Sequence, residues 1–144
     1  MRVLIADKIP SMRSALKFLL SQFKEINDIA EVKSEASLVD KIIIESPDIV
    51  LIDYDFLGSK THDAIIFLKA KYPNISIVVL GINSKIKNEY LKVGIDEYIV
   101  KGYPPERLYN ALRYLVDKKN MDYKNIKDQS FLQRRNTQDN PYQS

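Results

Sequence analysis

Residues 47–53 read Pro-Asp-Ile-Val-Leu-Ile-Asp, and this short run decides the fold class of the chain. Four consecutive apolar residues between two aspartates predict a strand that is buried on both faces, as strands are in parallel sheets. Two other runs share the pattern, Val-Leu-Ile-Ala-Asp at 3–7 and Tyr-Ile-Val-Lys at 98–101. A fourth apolar run, residues 75–80, is followed by Gly81 instead of a charged residue.

The charged residues that end these strands are the first clue to function. In open parallel α/β sheets, ligands bind at the carboxyl ends of the strands. We therefore expect Asp7, Asp53 and Lys101 to meet at one edge of the sheet. Two carboxylates and one ammonium group suit the handling of a phosphoryl group.

Segments with helical spacing of apolar residues separate the strands. In the first of them, Leu16 and Leu20 lie on the apolar stripe, and Arg13 and Lys17 are predicted to lie off it. Alternating strands and helices predict a doubly wound, flavodoxin-like α/β fold with a five-stranded parallel sheet in the order 2-1-3-4-5. The helices are predicted at 11–23, 36–45, 61–71, 84–93 and 105–118, and the strands near 2–7, 28–33, 48–53, 75–81 and 97–101.

The apolar pattern stops near residue 119. We expect residues 1–118 to form one domain and residues 119–144, rich in Asn, Gln, Asp and Lys, to form a polar tail or linker, or a frayed extension of the last helix. This segment is too short and too polar for a DNA-binding helix-turn-helix.

Composition excludes several classes of function. The 144 residues contain no cysteine, which rules out disulfides and thiolate chemistry. The net charge of +3 is small and dispersed, so we predict no direct nucleic acid binding. No apolar stretch approaches the roughly 20 residues that cross a bilayer, and no signal peptide is apparent. We expect a cytoplasmic protein without membrane attachment.

Four motifs occur in a meaningful order. They are the opening Met-Arg-Val-Leu-Ile-Ala-Asp, the strand at 47–53, the strand at 98–101, and Pro-Pro-Glu-Arg at the start of the last helix. With these motifs, residues 1–118 resemble the receiver domain of bacterial two-component response regulators, most closely the LuxR/NarL-type receivers that precede DNA-binding domains. The resemblance implies a CheY-like fold and a role in phosphorelay signal transduction rather than enzyme activity.

The resemblance also implies a role for each site residue. Asp53 matches the aspartate that accepts a phosphoryl group from a histidine kinase, and Lys101 matches the lysine that pairs with the phosphoryl oxygens. Asp7, Asp53 and the backbone carbonyl of Asp55 match the ligands of Mg²⁺. Tyr98 matches the aromatic residue that rearranges on phosphorylation.

Two residues depart from the family pattern. Lys8 stands where the family has a second acidic residue, which brings the formal charge of the pocket from about −2 to about zero. If Lys8 turns inward, its ammonium group occupies the place of the metal; if it points outward, only one ligand is lost. Gly81 stands where the family has Thr or Ser, so the hydroxyl that couples the phosphoryl group to Tyr98 is missing.

These departures lead to three competing hypotheses. The first is an atypical receiver, a pseudo-receiver that acts through protein–protein interaction with weakened or absent Mg²⁺-dependent phosphorylation. The alternative is a working phospho-acceptor, either alone or as part of a longer DNA-binding regulator. An unrelated flavodoxin-like enzyme is weakly supported, because no glycine-rich phosphate loop follows the first strand. The expected partners are a histidine kinase or another signalling protein, and a second copy of the chain in a homodimer.

Overall fold

The computed structural model of the chain describes residues 1–102 and 104–138. Five strands and five α-helices alternate along this part of the chain, with 3-10 turns before the second and third helices. The strands are β1 (Arg2–Ala6), β2 (Asp28–Val32), β3 (Ile49–Asp53), β4 (Ser76–Gly81) and β5 (Glu97–Val100). The helices are α1 (Pro10–Leu20), α2 (Leu38–Glu45), α3 (Thr61–Lys71), α4 (Lys87–Lys92) and α5 (Pro105–Gln138), and the turns span Glu35–Ser37 and Gly58–Lys60.

The sheet is entirely parallel and confirms the predicted strand order, β2-β1-β3-β4-β5. Its central strands are buried on both faces because their side chains are apolar without interruption. The residues 3–6, 49–52 and 77–80 are all at most 3% exposed. β2 lies at one edge and is the most polar strand, as its sequence predicts. The fold is therefore the flavodoxin-like, CheY-like arrangement.

The register places the ends of β1 and β3 side by side. Ala6 pairs with Ile52, so that the residues that follow each of them, Asp7 and Asp53, leave the sheet at the same edge. Gly81, the last residue of β4, pairs with Val100 just before Lys101. The topology thus brings together the four strand ends that the sequence singles out.

Several helix bounds differ from the sequence predictions. The first helix ends at Leu20, and α4 is only six residues long instead of ten. The last helix continues to Gln138, so residues 119–138 are helical. No Gly or Pro occurs from Glu106 to Asn140, and nothing in the sequence breaks a helix there. Residues 139–144 of the predicted tail lie outside the described part of the chain.

Contacts divide the chain into two compact units, Met1–Tyr109 and the chain from Asn110 onwards. The first unit holds the whole sheet and α1 to α4. In the second, every side chain from Met121 to Asn136 is exposed except that of Ser130. None of the described helices is long and apolar enough to span a membrane.

Candidate functional site

Lys101 holds the two predicted carboxylates together at the edge of the sheet. Its Nζ atom lies 2.6 Å from Asp53 Oδ1 and 3.2 Å from Asp7 Oδ2. Asp7 is 1% exposed, and the side chains of Asp53 and Lys101 are 14% and 21% exposed. The structure thus brings together the three residues that the strand ends predict.

The two carboxylates stabilise the charged form of Lys101. Partial burial works against the charged form of Lys101, but close contact with Asp53 and the negative charges of Asp53 and Asp7 outweigh it, and the pKa of Lys101 is raised above its usual value. Asp53 Oδ1 is buried and is paired with Lys101 by charge rather than by a hydrogen bond of regular geometry. The Lys101 ammonium group is therefore the main counter-charge of the Asp53 carboxylate.

The buried Arg13 side chain holds the backbone of Asp7 in place. Arg13 donates a hydrogen bond of 2.7 Å to the backbone carbonyl of Asp7, and the backbone N–H of Ile9 donates one of 2.8 Å to Asp7 Oδ1. The Arg13 Nε atom lies 3.3 Å from Glu31 Oε1 on β2. These contacts fix the loop between β1 and α1, and with it the direction of the Asp7 carboxylate.

The sequence prediction for Arg13 was wrong. The residue is 7% exposed and lies on the same helix face as the buried Leu16 and Leu20. The spacing i, i+3, i+7 already indicated this face, but the charge of Arg13 suggested a solvent position. Its buried environment is tolerated because the guanidinium contacts both a carbonyl and a carboxylate.

Lys8 points away from the carboxylate pair. Its Nζ atom lies 2.7 Å from Glu35 Oε1, in an ion pair in which both side chains are about half exposed. The hydrogen bond from Lys8 to Glu35 raises the pKa of Lys8, and the charges of Asp55 and Asp53 contribute in the same direction. Lys8 therefore lies outside the pocket, in an exposed ion pair with Glu35.

The ring of Tyr98 fills the space beside Gly81. A Cβ atom built on Gly81 would lie 1.7 Å from Tyr98 Oη and 2.1 Å from Tyr98 Cζ. Tyr98 is 3% exposed, and its hydroxyl donates a hydrogen bond of 2.7 Å to the backbone carbonyl of Asn83. It also stacks on Tyr90, with 6.0 Å between the ring centroids. Burial, together with the charge of Tyr54, raises the pKa of Tyr98.

The predicted Mg²⁺ ligands already have other partners. Both carboxylates already pair with the Lys101 ammonium group. Asp55 is exposed, and its backbone carbonyl accepts a hydrogen bond of 3.1 Å from the Gly58 N–H. Within residues 1–102 and 104–138, no group of three or more acidic or histidine side chains could hold a metal ion. Mg²⁺ relies on carboxylate charge for its binding, and here Lys101 offsets part of that charge.

The sequence matches a known family over residues 3–113, that of the response regulator receiver domain. Among curated relatives, a nitrate/nitrite response regulator protein homolog of Haemophilus influenzae is 25% identical over 100% of this chain and 69% of its own length. The nitrate/nitrite response regulator protein NarL of Escherichia coli K12 is 27% identical over 76% of this chain and 52% of its own. The chain thus spans roughly half to two thirds of these relatives.

Solved structures show the same architecture. The isolated REC domain of RcsB from Salmonella enterica serovar Typhimurium, in the presence of a phosphomimetic, superimposes with a TM-score of 0.72 and 25% identity over 78% of this chain and 86% of that one. RcsB bound to promoter DNA gives a TM-score of 0.73, with 26% identity over 80% of this chain and 67% of that one.

Proposed function

This chain belongs to the family of response regulator receiver domains, and we propose that it works as a pseudo-receiver, a signalling module that binds partner proteins without a Mg²⁺-dependent phosphoryl switch. The proposal concerns how the site operates, since membership of the family places the chain in two-component signalling. Two features of the site support it, the position of Tyr98 beside Gly81 and the charges around Asp53.

The observation that carries the proposal is the position of Tyr98. In the family pattern, a hydroxyl at position 81 couples the phosphoryl group to the aromatic residue. Here Gly81 has no side chain, and the Tyr98 ring occupies the volume where that side chain would stand. The Tyr98 hydroxyl also donates a hydrogen bond to the backbone carbonyl of Asn83, which holds the ring inward.

The charges of the pocket support the same proposal. Lys101 pairs with Asp7 and Asp53, and Lys8 replaces a carboxylate that the family uses near the metal. Replacing an acidic residue by Lys8 removes a negative charge near the site, which weakens the attraction for a divalent cation.

The test combines mass spectrometry with NMR. The protein is incubated with acetyl phosphate and Mg²⁺, with Asp53→Asn as the control, and the side-chain resonances of Tyr98 are followed when beryllofluoride and Mg²⁺ are added. We expect Mg²⁺ to produce no gain of about 80 Da beyond that seen without it, and the Tyr98 resonances to stay in place. A gain that requires Mg²⁺, accompanied by movement of Tyr98, would show a conventional receiver.

One observation favours the second candidate, a working Mg²⁺-dependent acceptor within a DNA-binding regulator. Because Lys8 turns towards Glu35, its ammonium group does not block the carboxylates directly. Relatives such as NarL are response regulators about twice as long as the segment they share with this chain. For this candidate the mass gain would depend on Mg²⁺ and on Asp53, and partner binding would change with it.

A further inference from the structure

We propose that a second copy of this chain docks on the outer surface of α2 and α3, with a two-fold axis through the middle of that surface. The α2–α3 surface consists of six exposed side chains, those of Val39, Asp40, Ile43, Ile44, Phe67 and Lys71. This inference goes beyond the proposed function, because association at this surface requires no phosphoryl group.

The helices α2 and α3 lie side by side on one face of the sheet. Their inward side chains belong to one buried cluster, which includes Leu38, Ile42, Ile65 and Leu68. Because each helix connects two parallel strands, both helices run in the same direction, from the carboxyl edge of the sheet to its amino edge. The end of α2 therefore lies beside the end of α3.

An open groove separates the two helix ends. It has a volume of about 360 Å³, and its walls include Ile43 from α2 and Lys71 and Tyr72 from the end of α3. Since the helices do not close this groove themselves, the side chains along it stay accessible to another chain.

Four large apolar side chains surround the groove and remain exposed. Val39 is 41% exposed, Ile43 53%, Ile44 72% and Phe67 49%. Single exposed apolar side chains are common on protein surfaces, but a group of them on neighbouring helices is typical of a contact surface. Covering them with another apolar surface is favourable because it removes them from water.

Lys71 and Asp40 add one charge of each sign to this surface. The Nζ atom of Lys71 lies 5.6 Å from the centroid of the Phe67 ring and 5.6 Å from that of the Tyr72 ring, so cation–π contacts hold it in place. Within residues 1–102 and 104–138, neither Lys71 nor Asp40 forms an ion pair. Both charges are therefore available to a partner.

The positions of the two charges fit a two-fold axis. Asp40 lies in the first turn of α2, and Lys71 is the last residue of α3. Because the helices run in the same direction, the two residues lie at diagonally opposite corners of the α2–α3 surface. A two-fold rotation exchanges these corners, so Lys71 of each copy faces Asp40 of the other and the apolar side chains meet between them. The surface is thus complementary to itself.

Sedimentation equilibrium of the full chain tests the proposal. We expect the mean mass to rise from 16.7 kDa towards twice that value between about 10 μM and about 1 mM, because a surface of this size supports weak association. Lys71→Glu and Asp40→Lys should each weaken the dimer by about tenfold or more, since like charges then meet. Combining the two changes should restore it. Lys92→Glu, at an exposed lysine that ends α4, is the matched control and should have no effect.

A second pair of variants tests the apolar contact. Phe67→Ser should weaken the dimer by about tenfold, whereas Phe18→Ser, at a phenylalanine of α1 that is 74% exposed, should leave it unchanged. Thermal unfolding of each variant checks that its fold is intact.

Disulfide formation tests the arrangement of the two copies. The chain contains no cysteine, so each variant below carries a single thiol. A mixture of Asp40→Cys and Lys71→Cys should form a disulfide between copies, and a mixture of Asp40→Cys and Lys92→Cys should not.

Each outcome decides one part of the proposal. A chain that stays monomeric at about 1 mM overturns it altogether. A dimer that Phe67→Ser does not weaken overturns the assignment to the α2–α3 surface. If the combined charge variant does not recover association, or the first thiol mixture does not crosslink, the two-fold arrangement is wrong. None of these measurements involves Mg²⁺ or Asp53, so a failure here leaves the proposed function standing.

Discussion

The backbone of Gly81 lies so close to the Tyr98 ring that any side chain at position 81 would move the ring. The nearest atom to a Cβ at this position is the tyrosine hydroxyl oxygen, at the far end of a side chain that can rotate. Rotation of the Tyr98 side chain would relieve this clash. The same rotation would break the hydrogen bond from Tyr98 to Asn83 and the packing on Tyr90. The position of the Tyr98 ring thus depends on the absence of a side chain at Gly81.

We expect Gly81→Thr to destabilise the protein by about 1–3 kcal/mol, because the new side chain overpacks the site. Tyr98→Ala in the same chain should recover part of this loss by opening the space again. Urea denaturation of the two single variants and the double variant measures the coupling. Additive effects would mean that the two residues do not compete for one volume.

The pH dependence of stability follows from Lys101 and Tyr98. Both groups have a raised pKa in the folded state, so the folded protein binds their protons more tightly than the unfolded chain does. Their contribution is complete below the unfolded values of about 10 and is lost as the pH rises through the folded values. We expect the free energy of unfolding to be flat from pH 7 to 9 and to fall above about pH 10.

Urea denaturation between pH 7 and 11 checks this expectation. Tyr98→Phe and Lys101→Met should each make the decline at alkaline pH shallower. If both variants kept the slope of the unchanged protein, other groups would be responsible.

At the scale of single residues, the sequence predicts which residues meet at the edge of the sheet better than it predicts where their side chains point. The convergence of Asp7, Asp53 and Lys101 follows from uninterrupted apolar runs that each end in a charge. The direction of Lys8 could not be derived, because its partner Glu35 is 27 residues away and a lysine stem has many rotamers. The inward position of Tyr98 depends on the space beside Gly81, where a side chain is missing. No pattern of residues in the sequence predicts that a ring will occupy this space.

At the scale of elements, the end of α2 stores local strain. Ser46 caps this helix in the left-handed region, with φ of 45°, a conformation that costs a residue with a Cβ atom on the order of 1 kcal/mol. We expect Ser46→Gly to stabilise the protein by about 0.5–1 kcal/mol. Ser37→Gly, at the start of the same helix with negative φ, is the control and should not stabilise.

Arg13, rather than Lys17, links α1 to β1 and β2, although both residues contact Glu31. Arg13 and Lys17 both lie 3.3 Å from Glu31, but the side chain of Arg13 is 8% exposed and that of Lys17 is 44% exposed. Only Arg13 also holds the carbonyl of Asp7.

We therefore expect Arg13→Met to cost about 2–4 kcal/mol, because it removes the buried hydrogen bond to the Asp7 carbonyl, and Lys17→Met to cost less than about 1 kcal/mol. Chemical denaturation of the two variants provides the comparison. Equal losses would show that the ion pair with Glu31, rather than the buried hydrogen bond, matters.

At the scale of the whole molecule, the proposed domain boundary near residue 118 can be tested directly. Side chains from Met121 to Asn136 are almost all exposed, and exposed side chains add little to the free energy of folding. A chain that ends at Lys118 should unfold at the same urea concentration as the full chain. A lower midpoint would place residues beyond 118 in the folded domain.

The order of the five strands could be predicted because alternating elements and right-handed crossovers leave few topologies. The length of α5 could not be, because residues 119–138 combine helix-compatible composition with no regular apolar stripe. Such a segment reads equally well as a linker or as a helix.

The long α5 also has a consequence for behaviour in concentrated solution. Lysine and arginine are as numerous as aspartate and glutamate in residues 1–109, so the net charge of +3 resides in residues 110–144. Near neutral pH the sheet-containing unit has almost no net charge to repel its copies, and proteins in that condition associate and precipitate readily. We therefore expect the exposed part of α5 beyond Lys118 to act as a colloidal stabiliser, so that a chain ending at Lys118 should be less soluble while its fold stays intact.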